Sequence, residues 1–257
     1  ESKFINRVFE NKPRIRIKKI ADKPYVGLVN GLYASTTGIG GLTIIECYKQ
    51  PSERMLELSM TGSQGDVMKE SVHVAKTIAW SLLEQSKKDE LTSEENKKKP
   101  FGIHIHTPEG AVPKDGPSAG AAMTLAIYSL LSNIPVKNTV AMTGEIDLSR
   151  NVRAIGGLAA KLNGAKRAGA TLALVPHENE EDLDKIRREG LIEEDDNFKV
   201  ITVETIHDVF KHALAYPDSK DDNLVDLTVV EEDYENKEDN EEELVKLLND
   251  SDDDEKN

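Results

Sequence analysis

The 257-residue sequence has one cysteine and one tryptophan. A single thiol excludes an internal disulfide framework and suits a reducing compartment. Cys47 falls within an apolar run, residues 42–48, which favours core packing over chemistry. No apolar run approaches the ~20 residues of a membrane span. The first residues, Glu-Ser-Lys-Phe-Ile-Asn-Arg, lack the hydrophobic region of a signal peptide, and so secretion is not expected. An initiator methionine is also missing, which points to a fragment or a processed chain. There is no G-x-x-x-x-G-K-[ST] stretch, so this chain is not itself a P-loop ATPase, and no G-x-S-x-G nucleophile elbow. His104 and His106 share one face of a candidate strand, but no third ligand has metal-site spacing, so a structural or supporting role is favoured over zinc.

Positive charge is short as well: the net charge is −14. The imbalance lies entirely in residues 218–257, with 18 Asp and Glu against 4 Lys. Residues 1–217 carry 29 acidic and 29 basic side chains, which removes any global case for nucleic-acid binding. The tail is poor in aromatics and rich in charge, so disorder is expected. Within it, Leu224-Val-Asp-Leu-Thr-Val-Val is able to pair with a partner's sheet edge, although a solvated tail with a chance apolar run is the favoured reading. Residues 241–248 have the pattern of a short helix.

What is present is a succession of short strands and helices without internal repeat. Residues 1–22 are mixed and basic and read as a connector. Strand-like runs cover 25–33, 42–48 and 54–60, and together suggest an antiparallel sheet. Ser63-Gln-Gly-Asp66 precedes helical periodicity over residues 67–83, and the polar stretch 87–99 reads as an exposed loop. Strands are expected at 101–106, 139–144, 171–175 and 198–203, with a hairpin continuing over 150–155. Helices are expected from about 117 to 131, after Gly156-Gly157 as far as 168, over 178–188 and over 205–215, with Pro217 ending the domain.

Three residues stand out chemically. Pro117 suits the first position of a helix, which puts Ser118 among backbone N–H groups that lack intrahelical partners and can stabilise an oxyanion. On this stretch alone a helix cap is favoured over a nucleophile. In the helix before Gly169, Leu158, Leu162, Ala165 and Ala168 form one apolar stripe, and Lys161 falls on it. Burial lowers a lysine's pKa towards that of a general base, whereas snorkelling at the stripe's edge is the equally weighted alternative. Thr143 closes a short apolar strand, either as an ordinary strand end or as a hydroxyl that orients a neutral lysine. A Ser–Lys pair is a known arrangement for acyl transfer.

At these residues the sequence resembles the proteolytic domain of the Lon family of ATP-dependent AAA+ serine proteases. Pro113-Lys-Asp-Gly-Pro-Ser-Ala-Gly120 is similar to that family's nucleophile motif, and Lys161 follows Ser118 by 43 positions. Pro108-Glu-Gly-Ala, Thr143-Gly-Glu145, Ile155-Gly-Gly-Leu158, Ala168-Gly169, Glu178-Asn179 and Asp182-Leu183 follow the same order and spacing, as do Thr61-Gly62 and Gly65-Asp-Val-Met-Lys-Glu-Ser71 upstream. The resemblance covers roughly residues 24–214. It differs at Gly31-Leu32-Tyr33-Ala34, where family members often carry Gly-Leu-Ala-Trp, and at Ala159-Ala160, which replaces a charged pair. The acidic tail has no counterpart.

The resemblance implies an α+β fold with mixed sheets and packed helices, of ribosomal S5 domain 2-like topology. It implies a connector over 1–22 from an upstream ATPase module, a proteolytic domain over 23–217, and a tail over 218–257. Ser118 becomes the expected nucleophile, Lys161 the general base and Thr143 its support. Asp115, Gly116 and Pro117 lie in a loop that opens or occludes the site, and N–H groups around 116–118 are the expected oxyanion donors. No cofactor or metal is expected in this chain, since ATP and Mg belong to the missing ATPase module. Unfolded proteins are the expected substrates, delivered by an AAA+ ring to a homohexamer in quality control and regulated degradation. Neither membrane nor nucleic acid is expected as a partner, and the expected compartment is the cytoplasm or mitochondrial matrix. A non-cleaving scaffold is the alternative, opposed by the intact Ser118 and Lys161. A Ser–Lys amidase is weaker, because its Gly/Ser-rich signature with a second serine is not found.

Overall fold

The computed structural model describes residues 18–108 and 114–216. The expected tail, with its apolar run and short helix, lies outside these residues, as does most of the connector. Nine strands are seen among the described residues: β1 (Leu28–Ala34), β2 (Gly40–Pro51), β3 (Leu58–Thr61), β4 (Phe101–His106), β5 (Val140–Met142), β6 (Glu145–Ile146), β7 (Val152–Arg153), β8 (Leu172–Pro176) and β9 (Lys199–Val203). The helices are α1 (Asp66–Ser81), α2 (Gln85–Leu91), α3 (Glu94–Lys98), α4 (Gly120–Ser132), α5 (Leu158–Ala168), α6 (Glu180–Arg188) and α7 (Ile206–Ala213). Short 3-10 turns precede α4 at Pro117–Ala119 and α6 at His177–Asn179.

Seven strands form one mixed sheet in the order β3-β4-β2-β1-β5-β8-β9, and β6 and β7 form a separate hairpin. This is the α+β architecture with mixed sheets and packed helices that the sequence led us to expect. The expected sheet of three consecutive antiparallel strands is corrected in one respect. β1 and β2 do pair antiparallel, but β3 lies at the edge and pairs parallel with β4, which intervenes. β3 is followed by helix α1, and a helical crossover suits return to a parallel neighbour rather than to the preceding strand.

The sheet buries both faces over most of its width. On one face Val29, Ile45, Cys47, Ile103 and Ile105 pack against α1, α4 and α7. Helix α4 is apolar around nearly its whole circumference and is correspondingly buried. On the other face Leu32, Leu42, Ala141, Ala173 and Val175 meet α5 and α6. Cys47 is fully buried, and burial pushes its thiol pKa upward, in keeping with a packing role.

The stretch 87–99, expected as a loop, instead holds the end of α2 and all of α3. Leu91 is buried and anchors α2, the Ser93 hydroxyl accepts the Asn96 N–H at the start of α3, and Lys87–Glu90 and Lys97–Glu94 pair one turn apart. These are local contacts on a polar surface, with little apolar periodicity to signal them.

Candidate active site

Lys161 is held by the way α5 meets the sheet. Leu158, Leu162, Ala165 and Ala168 are buried as the apolar stripe requires, and Lys161 with them, at 4% exposure. The helix lies backbone to backbone on the start of β2. A Cβ on Gly40 would collide with the Ala160 carbonyl and come within 2.9 Å of the Lys161 nitrogen. A Cβ on Gly164 would likewise fall within 2.7 Å of Gly41 Cα. A mid-helix glycine costs about 1 kcal/mol relative to alanine, so its place here is explained by this close approach. At the helix entrance, the buried side chain of Asn179 acts as a strand partner for Ile155, whose N–H donates to Asn179 Oδ1 at 2.9 Å and whose carbonyl accepts from Nδ2 at 3.0 Å.

Among the described residues no carboxylate pairs with the Lys161 ammonium. Its Nζ donates to Thr143 Oγ1 at 3.0 Å, and desolvation lowers its pKa from 10.5 to about 8. Thr143 is 1% exposed. Its hydroxyl donates in turn to the Ser118 carbonyl at 3.2 Å, and that carbonyl also accepts the Gly144 N–H at 2.9 Å. A threonine hydroxyl has one proton. Since that proton is directed to Ser118, Thr143 must accept from Lys161, and a neutral Lys161 keeps its lone pair free.

Ser118 sits in the 3-10 turn Pro117–Ala119, half-buried, two residues ahead of the continuous helix. Its hydroxyl makes no hydrogen bond among the described residues, so Thr143 links Ser118 to Lys161 through the serine's main chain. Gly116, at φ 112°, adopts a backbone conformation that only glycine enters readily, and Pro117 follows it into the turn. The expected oxyanion donors narrow here. The Gly116 N–H donates to Asp115 Oδ1 at 2.9 Å and Pro117 has none, which leaves the Ser118 N–H of the three. Asp115 is exposed and points to α1: its Oδ1 accepts the Met68 N–H at 3.0 Å, and this bond, followed by that from Gly116, holds its carboxyl below the usual carboxylate range. Asp115 was foreseeable from the motif, but the contribution of Met68 and the turn before α1 was not.

His104 Nε2 and His106 Nδ1 both share the Thr61 hydroxyl, at 2.9 and 2.7 Å. Among the described residues no group of three or more His, Cys, Asp or Glu side chains could hold a metal ion, and no helix is long and apolar enough to cross a membrane.

Comparison with known sequences agrees with this architecture. Residues 3–216 match the family described as Lon protease (S16) C-terminal proteolytic domain. The chain is 44% identical over 189 residues to a Lon protease of Vibrio parahaemolyticus, covering 74% of this chain and 23% of that protein. It is 41% identical over 212 residues to a Lon protease of Campylobacter jejuni, covering 80% of this chain and 26% of that protein. A Lon protease homolog of Acanthamoeba polyphaga mimivirus is 38% identical over 185 residues, 70% of this chain and 18% of that protein. The chain therefore spans about a quarter or less of the length of these relatives.

Proposed function

The chain belongs to the Lon protease family, a peptidase family, as a C-terminal proteolytic domain, and from that premise we propose that it is a serine endopeptidase using Ser118 and Lys161 as a catalytic dyad. The observation that carries this reading is a lysine 4% exposed whose hydrogen-bonded threonine grips the Ser118 carbonyl.

Neutral Lys161 removes the Ser118 Oγ proton as the oxygen attacks the peptide carbonyl. Thr143 keeps the amine's lone pair directed away from itself. The Ser118–Lys161 hydrogen bond forms in the substrate complex, as such bonds commonly tighten there. The Ser118 N–H, at the positive end of α4, stabilises the oxyanion. Lysinium then protonates the leaving amine, and water, deprotonated by Lys161, releases the acyl group from Ser118. An extended peptide fits one further feature. β1 pairs with β5 only through Asn30 and Gly31, so residues 32–34 offer backbone groups on that edge for strand addition.

The wider setting is also proposed. Unfolded proteins reach the site from an ATP-driven AAA+ ring whose ATP and Mg lie outside this chain, in a homohexamer within a reducing compartment, the cytoplasm or mitochondrial matrix. Ser118→Ala and Lys161→Ala are each expected to abolish ATP-dependent digestion of fluorescein-labelled casein by the full-length protein. A fluorophosphonate should label Ser118 in the unsubstituted protein. Robust turnover by either variant would overturn the dyad.

A further inference from the structure

We infer that Gly65 is a positioning residue for the peptidase reaction: its missing side chain opens the recess before α1 into which Asp115 fits, and that contact sets the loop presenting Ser118. The inference rests on the dyad reading above.

The segment before α1 and the segment before Ser118 are stitched together. The Gly65 N–H donates to the Lys114 carbonyl at 2.7 Å, and the Lys114 N–H donates to the Ser63 carbonyl at 3.0 Å. The Lys114 ammonium reaches the Gly62 carbonyl at 3.3 Å. Gln64 fastens the first segment to the sheet, its Nε2 donating to the Thr61 carbonyl at 2.9 Å. One residue beyond Lys114, Asp115 Oδ1 accepts the Met68 N–H at 3.0 Å. Gly65 itself supplies no side-chain cap to α1, so a carboxylate far along the chain takes that role.

Gly65 is not there for conformational freedom. Its φ of −75° and ψ of 177° are extended backbone open to any residue. What it supplies is room. A Cβ at this position would overlap the Asp115 carboxyl carbon and Oδ2 and come within 2.7 Å of the Asp115 Cβ. Any larger residue must expel Asp115 from the N-terminus of α1. Only Gly116 and Pro117 separate Asp115 from Ser118, and Pro117 is fixed in φ, so displacement is passed to the serine. A misplacement of about 1 Å at a reacting atom costs up to about 100-fold in rate.

The test uses the full-length protein, fluorescein-labelled casein and ATP. Gly65→Ala should lower kcat by about 10- to 100-fold with KM nearly unchanged, and should slow fluorophosphonate labelling of Ser118 in parallel. Its Tm should stay within about 5 °C, the scale of a lost helix cap. Asp115→Ala removes the same contact without a collision and should lower kcat similarly, and it carries the test should Gly65→Ala not fold. Asp115→Asn keeps an oxygen for the Met68 N–H and should retain kcat within about 3-fold. Wild-type kcat in Gly65→Ala or Asp115→Ala, or an Asp115→Asn as impaired as Asp115→Ala, would each overturn the inference. Turnover by Ser118→Ala would overturn the dyad and this inference with it. Loss in Ser118→Ala beside wild-type kcat in Gly65→Ala would overturn this inference alone.

Discussion

The segment carrying Ser118 and the segment carrying Lys161 are built in opposite ways. Ser118 stands on a three-residue turn, half-buried, after a loop held by backbone hydrogen bonds to residues 63–65 and by one capping carboxylate. Lys161 stands within an eleven-residue helix, pressed by an apolar stripe and two glycine contacts onto the sheet. The difference follows from what each proposed role demands. An attacking oxygen has to meet a substrate, so its support must be polar and leave one side open. A general base has to be neutral near pH 8, so its support must exclude water. The serine side therefore spends hydrogen bonds and the lysine side spends packing.

The largest expected contrast comes from removing each group. Ser118→Ala and Lys161→Met should both lower kcat by about 10⁴-fold or more, while stability separates them. Burial shifts Lys161 from 10.5 to about 8, which corresponds to about 3 kcal/mol of destabilisation wherever the amine is protonated in both states. Lys161→Met should therefore be more stable than the parent by up to that amount below pH 8, and Ser118→Ala should be close to neutral. The sign with pH is fixed. The unfolded chain binds the proton more tightly, so the parent gains stability as pH rises between about 8 and 10.5, and the advantage of Lys161→Met fades over that window. Denaturant unfolding at pH 7 and pH 10 measures it. Over the same range kcat of the parent should rise through about pH 8 and level off. A flat kcat profile, or a Lys161→Met no more stable than the parent at pH 7, would break the contrast.

The next effect tests whether packing alone holds the lysine side. Gly164→Val adds branched bulk where a Cβ already falls within 2.7 Å of Gly41 Cα, so α5 must lift from β2. A loss of about 3 kcal/mol in chemical unfolding is expected, with activity falling alongside stability. Gly65→Ala should do the reverse, losing activity with little stability. If Gly164→Val left stability unchanged, the close approach of α5 to β2 would not be what secures Lys161.

The two segments also differ in how far their sequences disclosed them. The Lys161 helix was legible, because a 3.6-residue apolar stripe and a glycine stop are local signals and both appear in α5 and Gly169. The last helix was expected over 205–215 and is seen over Ile206–Ala213, where a capping box of Thr205 and Asp208 that the sequence reading did not single out fixes its start. Around Ser118 the residue types were legible but their partners were not. The motif singles out Asp115, yet its contact with Met68 spans 47 positions and depends on Gly65 having no side chain. Strand β3 was misplaced for the same reason: alternation identifies a strand, but its neighbour is chosen by the crossover that follows. Asn179 likewise looks like an ordinary polar residue until Ile155 is beside it, 24 positions away.

The smallest expected effect falls on the residue that joins the two sides. Thr143 accepts from Lys161 and donates to the Ser118 carbonyl, and a threonine's methyl has no part in either bond. Thr143→Ser should therefore keep kcat within about 3-fold, while Thr143→Val, which preserves shape and loses the hydroxyl, should lower it by about 10- to 100-fold. The pH profile separates orientation from simple destabilisation. Without the hydroxyl, buried Lys161 Nζ loses the Thr143 oxygen that accepts its N–H, which disfavours the ammonium further and should move the kcat inflection below about pH 8. Thr143→Ser should leave it in place. A Thr143→Val that lost activity with an unmoved inflection and a lowered Tm would mean that the threonine serves only the core. The two segments would then meet without the polar link on which the comparison depends.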